Sequence, residues 1–450
     1  MGVQDQARAQ QDGGRTLRHN FQMRPVPAVT FQGQAVGRYH HHMRILHLAD
    51  LHLGTELYGH YDSATGSSSR LADFGHVLDI AVDRAIAERV DLFLFAGDAY
   101  KTRDPNPTQQ RELAKRLRRL LEARIPIFLL TGNHDMPNAV ARATSLDIFG
   151  ALSPSGFTVA NRPGLHTLTT PSGPLYLAAV PWLTRSAMFA RDEYKNVSSD
   201  ELHAKMLERL DASMDNYLEA MQDDSIPAVL ALHGTLQGAV YGAERSTMLS
   251  HDLVIPKSVA LRTRFSYAAL GHIHKYQVIE REPLTVYAGS PERIDFGEEH
   301  DRKGYVMVTL DRHGATHEFV ELPARPFRTV DVRSEADDPT DDALAALAGH
   351  SYEGAIVRVR LHLTPANQGR LREAPVREAL RDASYVVFRR EVSREWRDAG
   401  RGDAYSTAMT PLEALQTYLE RERAAETPER KELLVQTARG LIGAGDTPPR

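Results

Sequence analysis

From position 43 onward the chain alternates between short apolar runs and amphipathic stretches. The runs at residues 44–48, 92–95, 125–130, 228–232 and 267–270 have the length and composition of strands. Between the first two, Leu71, Phe74, Leu78, Ala81, Val82, Ala85 and Ile86 recur at helical spacing, which predicts a helix with one buried stripe. A second helix follows from Leu113, Leu117, Leu120 and Leu121, with Lys115, Arg118 and Arg119 on an opposite, solvated face. Strands separated by such helices predict an α/β fold built on a sheet with crossover connections.

The pattern changes around Pro323 and Pro326. Strand-like stretches at 329–332, 355–363 and 385–390 then alternate with helical stretches at 341–347 and 371–380, a smaller α/β unit dotted with arginines. Alternation puts Arg358 and Arg360 on one strand face, read as solvated in preference to a DNA-binding surface. After Trp396, the Gly- and charge-rich run 398–403 predicts a linker. Two amphipathic segments follow, carrying Leu412, Leu415, Tyr418 and Leu419 in one and Leu433, Leu434, Leu441 and Ile442 in the other. Each is too short to be stable alone and is expected to dock on the chain's own core or on a partner. Residues 1–42, rich in Gln, Gly and Arg and without periodicity, predict a disordered extension. It ends in His40, His41 and His42, which offer metal ligands. A mis-started reading frame or an appended remnant accounts for them more simply, because Met43 opens the first strand directly.

Composition narrows the chemistry. Hydrophobic residues make up 42% and charged residues 25% of the 450, ordinary values for a globular protein. At roughly 150 residues per domain, the length predicts two or three domains. No apolar run approaches the roughly 20 residues of a membrane span, and the stretch around Arg15 and Arg18 lacks the apolar core of a secretory signal, so the expected location is the cytoplasm. With 0 cysteines, disulfides, thiolate-zinc sites and cysteine nucleophiles are excluded, and any metal must be held by His, Asp, Glu or Asn. A net charge of -5 argues against coating nucleic acid by bulk charge, so a phosphate substrate would need a local basic face or bound cations.

Each of the five apolar runs ends in residue types that ligate metals. In order, they lead into Asp50 and His52, Gly97 and Asp98, Gly132 to Asp135 with Asn133 and His134, His233 and Gly234, and Gly271 to His274 with His272. In open α/β sheets the carboxyl ends of the strands line the ligand crevice, so all five should converge. The one-residue spacing in Asp50-x-His52 and His272-x-His274, taken as extended backbone, would aim both side chains of each pair to one side. The glycines at 97, 132, 234 and 271 would admit close backbone approach. Imidazole with carboxylate suits manganese, iron or zinc better than calcium. A pair of cations needs an anionic bridge, for which Asp98 is the candidate. Singly, Asp50 could cap a turn, Asn133 could hold left-handed backbone and His233 could be a core histidine; five strand-end coincidences in order favour the metal reading. His47, His60, His76, His251 and His300 lack the strand-end context and are read as structural or surface residues, with His47 a candidate support behind the ligands.

Together the series Asp-x-His, Gly-Asp, Gly-Asn-His-Asp, His-Gly and Gly-His-x-His resembles the calcineurin-like metallophosphoesterase superfamily. Within it, MRILHLADLHLG at 43–54, GHIHK at 271–275, YAGSPER at 287–293 and the stretch 297–305 resemble the SbcD family, the bacterial nuclease subunit similar to the eukaryotic double-strand-break nuclease of the MRN complex. The resemblance covers 43 to about 311 closely and the remainder as architecture. It implies a metallophosphoesterase β-sandwich core flanked by helices at 43–324, a smaller α/β DNA-capping domain at 325–396, and a linker and C-terminal helices at 397–450 that dock on the ATPase partner SbcC. It also implies two divalent metal ions, manganese above all. Asp50, His52, Asp98 and His274 would hold one, and Asp98, Asn133, His233 and His272 the other, with His134 catalytic beside them. Family members dimerise through helices of the nuclease domain, for which 108–123 is the candidate. One position departs: archaeal and eukaryotic relatives carry a second functional histidine where this chain has Lys101, a candidate contact to substrate phosphate.

The implied activity is manganese-dependent 3′-to-5′ exonuclease and endonuclease action on DNA ends and hairpins, in double-strand-break repair and recombination. Two cations sharing a carboxylate suit in-line displacement at phosphorus, and His134 suits a general acid. No Gly-x-x-x-x-Gly-Lys-Ser/Thr loop occurs, so an ATPase would be a separate chain. The rivals are a phosphodiesterase or phosphatase acting on a nucleotide or other small substrate, and a non-catalytic DNA-end tether.

Overall fold

A computed structural model of the chain describes residues 42–63, 66–137, 142–152, 156–188, 197–242, 252–311, 313–392, 410–421 and 427–444. The readings for residues 1–41, His251, Trp396 and the 398–403 linker lie outside them. Two six-stranded mixed sheets form the body. Edge to edge, the first runs Ala315–Glu321, Gly304–Leu310, Met43–Leu48, Leu92–Phe95, Ile127–Leu130 and Phe157–Ala160. The second runs Gln277–Arg281, Leu284–Tyr287, Tyr267–Gly271, Ala228–His233, Gly173–Val180 and Gly164–Thr170. In both, the strands that lead into the chemistry-bearing loops are paired in parallel, so their carboxyl ends share an edge.

The sheets pack face to face. Leu92, Leu94, Phe128 and Leu130 of the first meet Leu175, Leu177, Val229, Ala231 and Ala269 of the second in one buried cluster. The alternate residues Phe93, Phe95, Ile127 and Leu129 point outward beneath the helices Ser69–Ala87 and Pro107–Glu122. Across the molecule, Leu230, Leu232, Ala268 and Leu270 lie beneath the helix Ser199–Ala220. Burial on both faces explains why these strands read as unbroken apolar runs. Fold class is thus a mixed α/β sandwich flanked by helices.

Two expectations shift. The third strand starts at Ile127 rather than 125, because Pro126 has no N–H to give a neighbour and the Ile125 amide instead closes the preceding helix on Leu120 O at 2.9 Å. Arg119 is not wholly on a solvated face: its guanidinium pairs with Asp79 of the neighbouring helix at 2.9 Å, beside Arg116 on the same carboxylate at 2.7 Å. The helix start at Pro107 carries a capping box, Asn106 and Gln109 each serving the other's backbone amide.

Beyond the sandwich, Phe327–Arg333, Ile356–Leu363 and Tyr385–Val392 form a three-stranded parallel sheet with its own core of Val332, Val359, Leu361, Leu347 and Val376. The helices Thr340–Leu347 and Glu373–Ala379 supply the crossovers. Its seam with the sandwich is built from Phe296, Phe327 and Ile356, flanked by Tyr58 and Tyr385. Arg358 lies over the Phe296 ring at 4.4 Å rather than in solvent, and His60 donates to Ser384 O at 2.6 Å. The helices Pro411–Arg421 and Pro428–Ala444 pack on each other. No helix among the described residues is long and apolar enough to cross a membrane.

Candidate metal centre

The loops after the five strands meet at one edge of the sandwich. Asp50 and Gly97 are tied by a backbone hydrogen bond of 2.9 Å, His52 and Asp98 by one of 3.0 Å, and Leu53 and Ala99 by one of 3.0 Å, so the first two loops run as a zipped pair. Extended backbone is not what aims the paired side chains. Asp50, His52, Asp98 and His272 have φ of 51°, 48°, 59° and 100°, so each chain reverses locally through left-handed conformations. Asp135 holds these turns: its buried carboxylate accepts from the amides of Gly132 at 3.0 Å, Asp98 at 2.9 Å, Ala99 at 3.1 Å and Tyr100 at 3.3 Å. Burial and the charge of Asp98 push the Asp135 carboxyl up to about 7 against those amides.

Close approach is structural at Gly132 and Gly271. A Cβ at Gly132 would stand 2.1 Å from Asp98 Oδ1, and one at Gly271 would stand 2.1 Å from Ala96 O. Gly234 differs from the expectation: its nearest neighbours would be 3.8 Å from a Cβ.

Two groups of potential ligands emerge, His52 with Asp98 and His134, and Asp98 with His233 and His272, and Asp98 belongs to both. Asp98 Oδ2 lies 3.6 Å from His52 Nε2 and 3.5 Å from His233 Nε2. His274 Nε2 lies 3.0 Å from His52 Nε2. Asn133 Oδ1 is 3.1 Å from both His233 Nε2 and His272 Nδ1. Asp50 belongs to neither group as placed; both of its oxygens accept from the His272 amide, at 2.8 Å and 3.0 Å. His134 is less buried than the others and turns Nδ1 onto Lys101 O at 2.8 Å. The Lys101 ammonium is close enough to act electrostatically on His52 and His134. His47 instead bonds Tyr267 Oη at 2.8 Å inside the sandwich.

Burial opposes charge at His233, yet the Asp98 carboxylate beside it holds its pKa up to about 9; Asp98 itself, buried but facing His233 and His52, is held well below the usual carboxylate range. His134 is lowered by burial, against the pull of Asp98.

The far ring nitrogens are held in an ordered way, and sequence reading missed the residues that hold them. His274 Nδ1 meets Glu298 Oε1 at 2.7 Å, His272 Nε2 meets Asp252 Oδ2 at 3.1 Å, and His233 Nδ1 meets Ala96 O at 2.8 Å. Trp182 lies tilted on the His272 ring with centroids 4.9 Å apart. Asp135 carried a signal, its place directly after the Gly-Asn-His run, and Glu298 lies in the stretch 297–305 that bears the resemblance, which gave it no role. Asp252 and Glu298 lie far from the strand ends in sequence.

The cluster fits divalent metal. Each of these three held imidazoles turns its other nitrogen inward; that of His274 lies 3.0 Å from Nε2 of His52, whose own Nδ1 is buried without a hydrogen-bond partner, and two ring nitrogens so close repel unless a proton or cation lies between them. The donors are imidazole and oxygen, a set suited to manganese, iron or zinc.

Residues 43–276 match the family model described as calcineurin-like phosphoesterase, just over half of the chain. The chain is 28% identical over 324 residues to the SbcD subunit of the SbcCD nuclease of Rhodobacter capsulatus, covering 68% of this chain and 75% of that protein. Among solved structures it is similar to a dimetal phosphatase from Danio rerio, at a TM-score of 0.37 and 11% identity over 62% of this chain and 98% of that one. A 5′-nucleotidase precursor from Thermus thermophilus is similar at a TM-score of 0.33 and 15% identity, over 63% of this chain and 55% of that one.

Proposed function

This chain belongs to the calcineurin-like phosphoesterase family and is a phosphoester hydrolase; from that premise we propose that it is the manganese-dependent nuclease subunit of an SbcCD-type complex, cutting DNA at ends and hairpins. The observation that carries this reading is the pair of ligand groups sharing Asp98 at the carboxyl ends of parallel strands. Asp50, His52, Asp98 and His274 would hold one cation, and Asp98, Asn133, His233 and His272 the other. When bound, such cations supply the charge that lowers the pKa of an attacking water and offsets charge growing on the phosphate oxygens.

The chain's own groups do the rest. With Nδ1 held by the Lys101 carbonyl, His134 has Nε2 left to give a proton to the departing sugar oxygen. Lys101 places a cation beside that ring for a substrate phosphate. Asp135 and the left-handed turns fix the ligands before substrate arrives, so little reorganisation remains for the reaction.

The same reading gives 325–396 the role of a DNA cap and the two C-terminal helices that of a seat for an SbcC-type ATPase, with work on DNA breaks in the cytoplasm. The relative's name supports a second subunit, and Leu433 and Leu434, 63% and 43% exposed, offer apolar surface for one. The helix Pro107–Glu122 is the proposed homodimer contact.

End-labelled duplex DNA incubated with the purified chain and manganese, beside His134→Ala and a generic phosphodiester reporter, tests the proposal. Stepwise shortening lost in the variant is expected. Reporter hydrolysis with DNA untouched would move the assignment to a small-substrate phosphodiesterase, and shortening undiminished in the variant would remove His134 from the reaction.

A further inference from the structure

We infer that Glu298, locked in place by Lys303, is a positioning residue that holds His274 in the tautomer and orientation able to ligate metal. The inference rests on the metal-centre reading above and adds a residue to it.

His274 donates from Nδ1 to Glu298 Oε1 at 2.7 Å, which leaves Nε2 as the lone-pair nitrogen on the side of His52. The second carboxylate oxygen, Oε2, meets Lys303 Nζ at 2.8 Å and accepts from the Ile294 amide at 3.0 Å. Lys303 donates in turn to Ser290 Oγ at 2.8 Å and to His274 O at 3.3 Å, so it holds both the carboxylate and the backbone of the histidine that the carboxylate serves. Glu298 is 2% exposed and Lys303 1%. A buried ion pair is a poor source of stability, since apolar residues of similar volume commonly do as well, so its place here calls for another purpose. Orienting a ligand is such a purpose, because a carboxylate behind a metal-binding histidine fixes the ring and raises its basicity.

The stretch that bears Glu298 is pinned from the other side as well. Glu292 accepts from the Arg325 amide at 3.0 Å, Arg293 donates to Arg325 O at 3.2 Å, and Glu299 accepts from the Thr329 amide at 2.9 Å. Phe296 packs on Phe327 with ring centroids 4.9 Å apart. Glu298 therefore rides on a short strut fixed between the sandwich and the small sheet, and its carboxylate has little freedom to drift from His274.

The test is calorimetric titration of manganese into metal-stripped wild-type chain, Glu298→Gln, Glu298→Leu and Lys303→Met, with thermal unfolding of each in chelator. Wild type should bind two ions. Glu298→Leu should weaken one of the two by about 10- to 100-fold and leave the other unchanged, while Glu298→Gln, which keeps volume and an acceptor for Nδ1–H, should recover part of the loss. Lys303→Met should fall between them. Equal affinities at both ions in folded variants that merely melt lower would overturn the inference and make the pair structural. A wild-type chain that binds no manganese would instead defeat the metal-centre reading itself, a separate outcome.

Discussion

At the ends of the sandwich strands, Asp50, His52, Asp98 and His272 are all buried and all hold left-handed backbone, whereas from Phe327 to Val392 positive φ is confined to Gly349 and Gly354. Charge is handled as differently. The centre gathers carboxylates and imidazoles out of water and steadies them with amides, as at Asp135. The small sheet keeps its ion pairs at the surface, Arg372 with Asp338 and Arg390 with Glu373, over a core of valine and leucine. Strain and desolvation are therefore concentrated where ligands would converge, and the small sheet is relaxed alternation. Substitutions should be felt through geometry in the first region and through volume alone in the second.

The largest effect should come from Gly271→Ala, whose Cβ would meet Ala96 O at 2.1 Å and His233 Nδ1 at 2.9 Å. Hydrolysis of a phosphodiester reporter should fall at least about 100-fold, because the ligand loops must part. Urea denaturation should show a loss of about 4 kcal/mol or more. Reporter activity within a few-fold of wild type would break the contrast. Next, Leu361→Ala opens a cavity in the small sheet and should cost about 2–5 kcal/mol by the same denaturation measurement. Reporter hydrolysis should survive it, and loss of reporter hydrolysis in the folded variant would show that the two regions are not separable.

Behind the centre, burial pushes the His47 imidazole down to about 3 from its ordinary 6.5, against the Leu270 backbone that favours its charged form. The unfolded chain thus takes up a proton that the folded chain refuses, and stability is intact above about 6.5 and declines as pH falls toward 3. Between neutral pH and about 4.5 this group should account for about 2–3 kcal/mol of the fall. Unfolding midpoints of His47→Gln across that range should be correspondingly flatter, and a slope equal to wild type would remove His47 as the source. The smallest effect belongs to Arg360→Ala on the solvated face of the small sheet. Loss of its pair with Asp331 should change stability by about 0–1 kcal/mol, and a larger change would mean that the sheet depends on its surface charge.

The apolar runs and helical stripes located the five sandwich strands that lead into the centre and the first two helices, because burial on both faces leaves a continuous hydrophobic record; the other strands of the two sheets and the helix Ser199–Ala220 were not read from the sequence. The runs and stripes also located the small sheet, whose alternation is plain at Ile356–Leu363. The strand-end series brought forward every residue that lies in the two ligand groups, since parallel strands place their carboxyl ends together whatever the loops then do. What the spacing suggested about how the side chains turn inward did not hold: extended backbone at Asp50-x-His52 was replaced by two left-handed residues. Non-glycine residues adopt that conformation only when neighbours enforce it, and here the enforcement comes from Asp135 and the zipped loops. Glu298, Lys303 and Asp252 were illegible for a related reason. A buried carboxylate and a surface carboxylate are the same letter, and only the packing of distant segments decides which one loses its water and finds a histidine.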